Sequence, residues 1–207
     1  VSNLNRKLLT AKMEQLGYPQ NQVTDQLAGL PQPWTREGLP SKGNVKILVL
    51  LIDFSDYPHN ESQTVSDINN KLFGTGVVDP GFYPDVSLSE WYRRSSYNNL
   101  VIGGDILGWY RAAHPRSWYE TNGGFEALMM EALNYYDTLP AGYDFTPSDN
   151  ANTGKIDHIL VKYAGPPGDW GTFWWGWSCY WQDNPSYTID GKHIGKYIWS
   201  WYADTAG

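Results

Sequence analysis

A single cysteine, Cys179, stands in 207 residues, so no intrachain disulfide can form and the fold must be held by its core. The lone thiol sits among tryptophans, where it reads as a small buried residue. Phenylalanine is scarce, at 6 residues against 11 Trp and 15 Tyr. No apolar run reaches the roughly 18 residues that a membrane-spanning helix needs, which excludes a helical span. Basic residues are the minority, 15 against 22 acidic, for a net charge of -7 and a pI near 5.0. Such a surface repels phosphates, which argues against nucleic acid or an anionic membrane as a partner. No signal peptide is visible, since Val1 opens a polar stretch; the expectation is that any leader is already removed or was never included.

Chemistry-bearing motifs are equally sparse. No Gly-x-Ser-x-Gly elbow occurs, and Cys179 has no histidine near it in sequence. The four histidines, His59, His114, His158 and His193, are not spaced to share a helix turn or a strand face. A catalytic zinc needs about three protein ligands and an open position, and no His-Glu-x-x-His supplies them. The sequence therefore contains no self-contained active site.

What it does contain is one well-punctuated unit at residues 87–110, SLSEWYRRSSYNNLVIGGDILGWY. Ser87 with Glu90 has capping-box spacing, so a helix starts there. Leu88, Trp91 and Tyr92 fall on one face of it, and Arg93 and Arg94 suit its C-terminal dipole. Tyr97-Asn98-Asn99 stops it, because Asn tolerates the left-handed conformation. Residues 100–102 and 106–110 read as strand, with Gly103-Gly104 between them as a bulge or bend.

Around this unit the period of the apolar residues predicts helices over 3–16, 64–73 and 125–136. Residues 45–54 form a nearly unbroken apolar run, which predicts a central strand covered on both faces. Asp53 and Asp56 lie at its carboxyl end, where sites collect and where loops are also capped. Residues 156–164 predict a second buried strand, with His158 hydrogen-bonded in place. Asp190-Gly191 predicts a hairpin turn into a strand over 193–202 with one aromatic face. Asn60-Glu61-Ser62 is an N-glycosylation sequon, meaningful only in a eukaryotic secretory host. Pro31, Pro33, Gly38, Pro40 and Gly43 mark a linker. The domain expectation is thus 1–44 as an N-terminal helix and linker, and 45–207 as an α/β domain with a mixed twisted sheet covered by helices.

Two loops carry candidate sites. Residues 140–154 are rich in oxygen ligands, and Asp144, Asp149, Asn150 and Asn152, with Asp157 in the next strand, are candidates for calcium, which takes six to eight hard oxygens. An Asx-rich turn accounts for the same residues, and the spacing does not match an EF-hand loop. Residues 165–181, GPPGDWGTFWWGWSCYW, concentrate tryptophan. Trp170, Trp174, Trp175, Trp177, Trp199 and Trp201 are candidates for a ligand-facing cleft, since tryptophan joins a large ring to a polar handle. An aromatic core is the competing account.

Three segments in order resemble the M6 metallopeptidases, the immune-inhibitor-A-like group of secreted zinc proteases. They are residues 46–58 (KILVLLIDFSDYP), the unit at 87–110, and residues 154–165 (GKIDHILVKYAG), with Ile198-Trp199-Ser200 as a short signature. The resemblance covers roughly residues 45–202 and implies the N-terminal half of a zincin-type domain, secreted and acting on protein or peptide substrate. It implies zinc in the full-length family, with calcium fitting the same picture. It also implies that residues 1–44 derive from a propeptide or an N-terminal extension. The departure is the missing His-Glu-x-x-His. The expectation is a fragment that ends before the zinc helix, inactive alone and lacking its zinc-binding C-terminal half. In that reading the strand over 193–202 lies along the cleft, and the tryptophan loop forms its wall. A stand-alone aromatic-rich domain that binds carbohydrate or peptide, and a catalytically dead scaffold, are the alternatives.

Overall fold

Eleven residues in succession, GNVKILVLLID, form the strand on which everything else is laid. This is β1 (Gly43–Asp53), and its side chains divide by the two-residue period of a strand. Leu48, Leu50 and Ile52, continued by Phe54, enter one core, and Val45, Ile47, Val49 and Leu51 enter another on the opposite face. All four of Leu48, Leu50, Leu51 and Ile52 are fully buried, each contributing roughly 1.5–3 kcal/mol. The computed structural model describes residues 38–76 and 86–202, with the helical positions Ala11 and Gln15. The chain divides into two units, Val1–Glu37 and Gly38–Gly207. The rest of the helix expected over 3–16, the prolines 31 and 33, and residues 77–85 lie outside the described residues.

The second unit is an α/β fold. It runs β1, α1 (Val65–Phe73), α2 (Leu88–Ser95), β2 (Leu100–Arg111), α3 (Arg116–Asn122), α4 (Gly124–Asp137), β3 (Lys155–Tyr163), β4 (Trp177–Tyr180), β5 (Thr188–Ile189) and β6 (Lys192–Trp201). The sheet order is β2-β1-β3-β6-β4, with β5 paired to β6. The β2, β1, β3 and β6 strands are parallel, while β4 and β5 run antiparallel to β6. Ile68 of α1 lies buried on one face. Leu128, Met129, Ala132 and Leu133 of α4 close the other. The sheet is mixed, as expected, and β1 is covered on both sides.

Local chemistry explains the helix starts. The Thr64 side chain accepts from the Asp67 N–H at 3.1 Å, and Ser87 Oγ accepts from the Glu90 N–H at 3.0 Å. The return half of the box at α2 is not made: the Glu90 carboxylate turns to Arg93 and Arg94 at 2.6 and 2.7 Å. Tyr97 and Asn98 have φ of 54° and 61°, the left-handed stop that the Asn pair predicts. Asp190 and Gly191 likewise have positive φ, at 50° and 70°, closing the β5–β6 hairpin.

Four expectations are corrected. Gly103-Gly104 makes no bulge; the register shift falls between Leu50 and Leu51, opposite Gly108. Gly104 is small because a Cβ there would lie 2.1 Å from the Ile47 carbonyl oxygen of the next strand. Trp91 and Tyr92 are exposed, and α2 instead buries Ser89 and Glu90. The strand at 192–201 is not at the cleft edge, since β3 and β4 flank it. Finally, β4 emerges from the stretch 165–181 that reads as a loop, and α3 forms where the sequence pattern predicts no element.

Candidate functional site

Parallel strands end together, and here the ends of β1, β2, β3 and β6 meet at one edge. Strand order reverses around β1, because β2 lies to one side and β3 to the other. Ligands in open α/β sheets collect at such a point. Asp53 ends β1 and is 1% exposed. Its register partner Arg111, ending β2, donates from Nε to Oδ1 at 2.6 Å and from Nη2 to Oδ2 at 2.7 Å. The His59 backbone N–H reaches Oδ2 at 3.0 Å, and its ring Nδ1 at 2.7 Å. Burial pushes the Asp53 pKa up, but these hydrogen bonds outweigh it and hold the carboxyl below its ordinary value. Since an ionised carboxylate only accepts, Nδ1 carries the proton in the neutral ring and Nε2 is the acceptor.

His59 is further fixed by stacking on Trp109, with centroids 4.6 Å apart and planes 10° from parallel. Trp109 is anchored in turn, its Nε1 donating to the Gln63 carbonyl at 3.1 Å and Tyr202 meeting its face edge-on. Asp56 Oδ1 accepts the Arg116 N–H at 3.0 Å, capping α3 from across the site. The Arg116 guanidinium is 5% exposed and lies over the rings of Trp174, Tyr57 and Tyr163 at 4.2, 4.9 and 5.3 Å. Burial lowers its pKa. One of its Nη groups donates to the Pro166 carbonyl, and Nε has no partner among the described residues. Gly165 is obligatory beside it: φ is 97°, and a Cβ would fall 2.3 Å from Arg116 Nη1. Between the loop 56–60, Gln63, the turn at 164–165 and Tyr202 lies a cavity of about 230 Å³.

The second place of interest is the sheet edge. The β4 strand pairs only with β6, leaving its other side open among the described residues. Buried Glu126 of α4 holds the segment after it, accepting the N–H groups of Gln182, Asp183 and Asn184 at 2.6, 2.8 and 3.1 Å.

The tryptophan candidates separate. Trp174 and Trp199 are core residues, 6% and 0% exposed. Trp175 and Trp201 are half-buried and tilted together at 5.4 Å. Trp170 is 84% exposed and Trp177 37%, so of the six candidates these two reach fullest into solvent. Cys179 packs, half-buried, against the core.

The oxygen-rich turn is cross-braced by the protein itself. Asp149 accepts Lys192 Nζ at 2.8 Å and the N–H groups of Thr153 and Gly154. Asn150 makes a two-way contact with the Lys46 backbone at 2.6 and 2.8 Å. Asp157 Oδ2 accepts from Asn150 and Ala151 at 3.2 Å each, while its buried Oδ1 has no partner among the described residues. Burial raises the Asp157 pKa against those hydrogen bonds. Asp144 Oδ1 accepts from Thr146 N and Oγ1, and Asn152 takes a left-handed φ of 51°. Among the described residues no group of three His, Cys, Asp or Glu side chains is placed to hold a metal.

The histidines stay apart. His114 stacks on Trp118 at 3.9 Å, His158 lies in β3 with its pKa pushed down to about 4 by burial, and His193 Nδ1 meets the Tyr187 carbonyl. The described residues therefore do not fit a zinc site. What sequence reasoning missed is the His59–Asp53–Arg111 constellation; the six-residue interval between Asp53 and His59 gave no motif to read.

No protein-family model matches the chain. Among curated proteins it is similar to the pre-pro-metalloprotease PrtV of Vibrio cholerae serotype O1. In both strain M66-2 and strain ATCC 39315 / El Tor Inaba N16961 the match is 26% identical over 155 residues. It is a distant relationship to a metalloprotease. The match takes in 58% of this chain but only 17% of the relative's length. No helix among the described residues is long and apolar enough to cross a membrane.

Proposed function

We propose that the chain is the sheet-bearing part of a secreted zinc endopeptidase domain of the M6 type, and that a peptide substrate adds to it as a further strand along β4. The observation that carries this is the similarity to PrtV, because it spans 155 residues rather than one motif. The mixed sheet with an antiparallel strand at its open edge supports it, since an unpaired edge offers backbone donors and acceptors to an extended peptide. Trp177, on β4 itself, then contacts side chains of that peptide. Zinc ligands come from residues other than those described, so no catalytic step is assigned to this chain's own side chains.

The test is to produce the protein from its natural gene and follow cleavage of a quenched peptide. Activity lost on chelation and restored by zinc is the expected result. Absence of metal-restored cleavage from the intact gene product would sink the reading.

A second reading has its own observation, the 84% exposure of Trp170 with Trp175 beside it at 5.5 Å. Such a pair is a platform for a sugar ring. Quenching of tryptophan emission by soluble polysaccharide, abolished in Trp170→Ala, is its signature.

A further inference from the structure

The crevice at the carboxyl ends of the parallel strands stands independently of either reading. Its wall holds an imidazole whose orientation is over-determined. Two hydrogen bonds tie His59 to Asp53, and Trp109 stacks on its ring. A side chain on a loop rarely has so little freedom, and that fixity is what a binding group requires. Nε2 has no partner among the described residues and sits in a ring bordering the cavity.

The electrostatics of the wall select the ligand. Asp53 is ion-paired with Arg111. Asp56, whose Oδ1 accepts the Arg116 backbone N–H, lies within the field of the buried Arg116 guanidinium, so neither carboxylate stands as an uncompensated charge. No lysine or arginine lines the cavity, so a free anion finds no partner there. Arg116 behind Tyr57 disfavours a cation. What remains are the Asp56 carboxylate as a hydroxyl acceptor, the side-chain amides of Asn60 and Gln63, the His59 acceptor, and the rings of Tyr57 and Tyr202. At about 230 Å³ the space falls below the ~300–1,000 Å³ of drug-sized pockets, and so suits one small ring.

We propose that this crevice binds a neutral, polyhydroxylated ligand of monosaccharide size, with His59 Nε2 accepting a hydrogen bond from one hydroxyl. The experiment is a titration of the uniformly ¹⁵N-labelled chain with glucose, galactose, mannose and N-acetylglucosamine, observing the imidazole nitrogens. The expected result is a saturable shift of His59 Nε2 with at least one sugar. Loss of that single hydrogen bond in His59→Phe weakens binding about five- to tenfold. Asn60→Ala and Gln63→Ala, which leave the Asp53 cluster intact, weaken it as well. If His59 is unmoved across the panel, the proposal is overturned. The same holds if acetate or phosphate shifts Nε2 as sugars do, or if sugars perturb only the Trp170 indole, which would place the sugar site on the tryptophan loop.

Discussion

Asp53 and Asp157 are both buried aspartates, and they respond to acid in opposite senses. Asp53 has its native pKa held below the ordinary 3.8. Its contribution is therefore complete above that value and is lost as pH falls through the lower native one. Asp53→Asn keeps the shape but breaks the pairing with Arg111 and His59. Breaking a buried pair costs about 3–5 kcal/mol, and the half-exposed Arg111 reduces this by solvent screening to about 2–3 kcal/mol. Urea unfolding at neutral pH reads the loss, and the variant should shed part of the acid sensitivity. Asp157 is the reverse case. Its native pKa is raised, so its contribution is present below the ordinary value and is lost as pH rises through the native one. Asp157→Asn removes a buried charge with an orphan oxygen, and should gain about 1 kcal/mol at neutral pH. The same turn bears on the calcium expectation. Lys192 already neutralises Asp149, so adding calcium or chelator should leave the melting temperature unchanged. A saturable rise with calcium would instead support Asp144, Asp149, Asn150, Asn152 and Asp157 as a site. The acidic, oxygen-rich composition of that turn was plain in the sequence. The lysine that braces it, 43 residues away, was not.

At the scale of elements, local signals were legible and long-range ones were not. The capping residues Thr64 and Ser87, the Asn stop after α2 and the Asp-Gly turn act through neighbours in the chain. The edge position of β4 depends on pairing across the sheet, and nothing in WSCY marks it. Gly103-Gly104 shows the same limit: the sequence marks a special position, but the reason lies in the opposing strand. Gly104→Ala must push β1 and β2 apart, and should cost about 3 kcal/mol. Gly108→Ala places its Cβ at an ordinary 3.5 Å from Val65 and should cost well under half of that. Denaturation midpoints of the two variants check the contrast. The β4 edge is tested by proline. N–H groups alternate inward and outward along an antiparallel strand, so of Ser178→Pro and Cys179→Pro one breaks the bond to β6. The other removes only an outward donor. In the intact gene product, that second variant should melt like the wild type and raise KM for peptide about tenfold, the equivalent of one hydrogen bond. Unchanged KM in both would remove β4 from the substrate path.

For the whole molecule, the α/β class followed from two apolar strands alternating with amphipathic helices, because parallel strands need helical crossovers. The meeting of Asp53, His59, Arg111 and Arg116 at one sheet edge could not follow, since their separations of 5 to 63 positions carry no period. Surface aromatics pose the remaining question at this scale. Trp91 and Tyr92, in the middle of α2, and Tyr97, just beyond its end, are 46%, 37% and 87% exposed. Isolated exposed rings are ordinary, but Trp91 and Tyr92 touch edge to face at 4.9 Å and together expose apolar surface that water solvates poorly. If the chain is the sheet-bearing part of a larger peptidase domain, such apolar surface is covered by the remainder of that domain. The chain alone should then bind a hydrophobic fluorescent dye and self-associate with rising concentration, while the intact gene product does neither. Trp91→Ser with Tyr92→Ser should suppress both effects without loss of stability, because neither ring is in the core. A monomeric chain that leaves the dye dark would mean that these rings need no covering, and the enclosing-domain reading would lose its structural support.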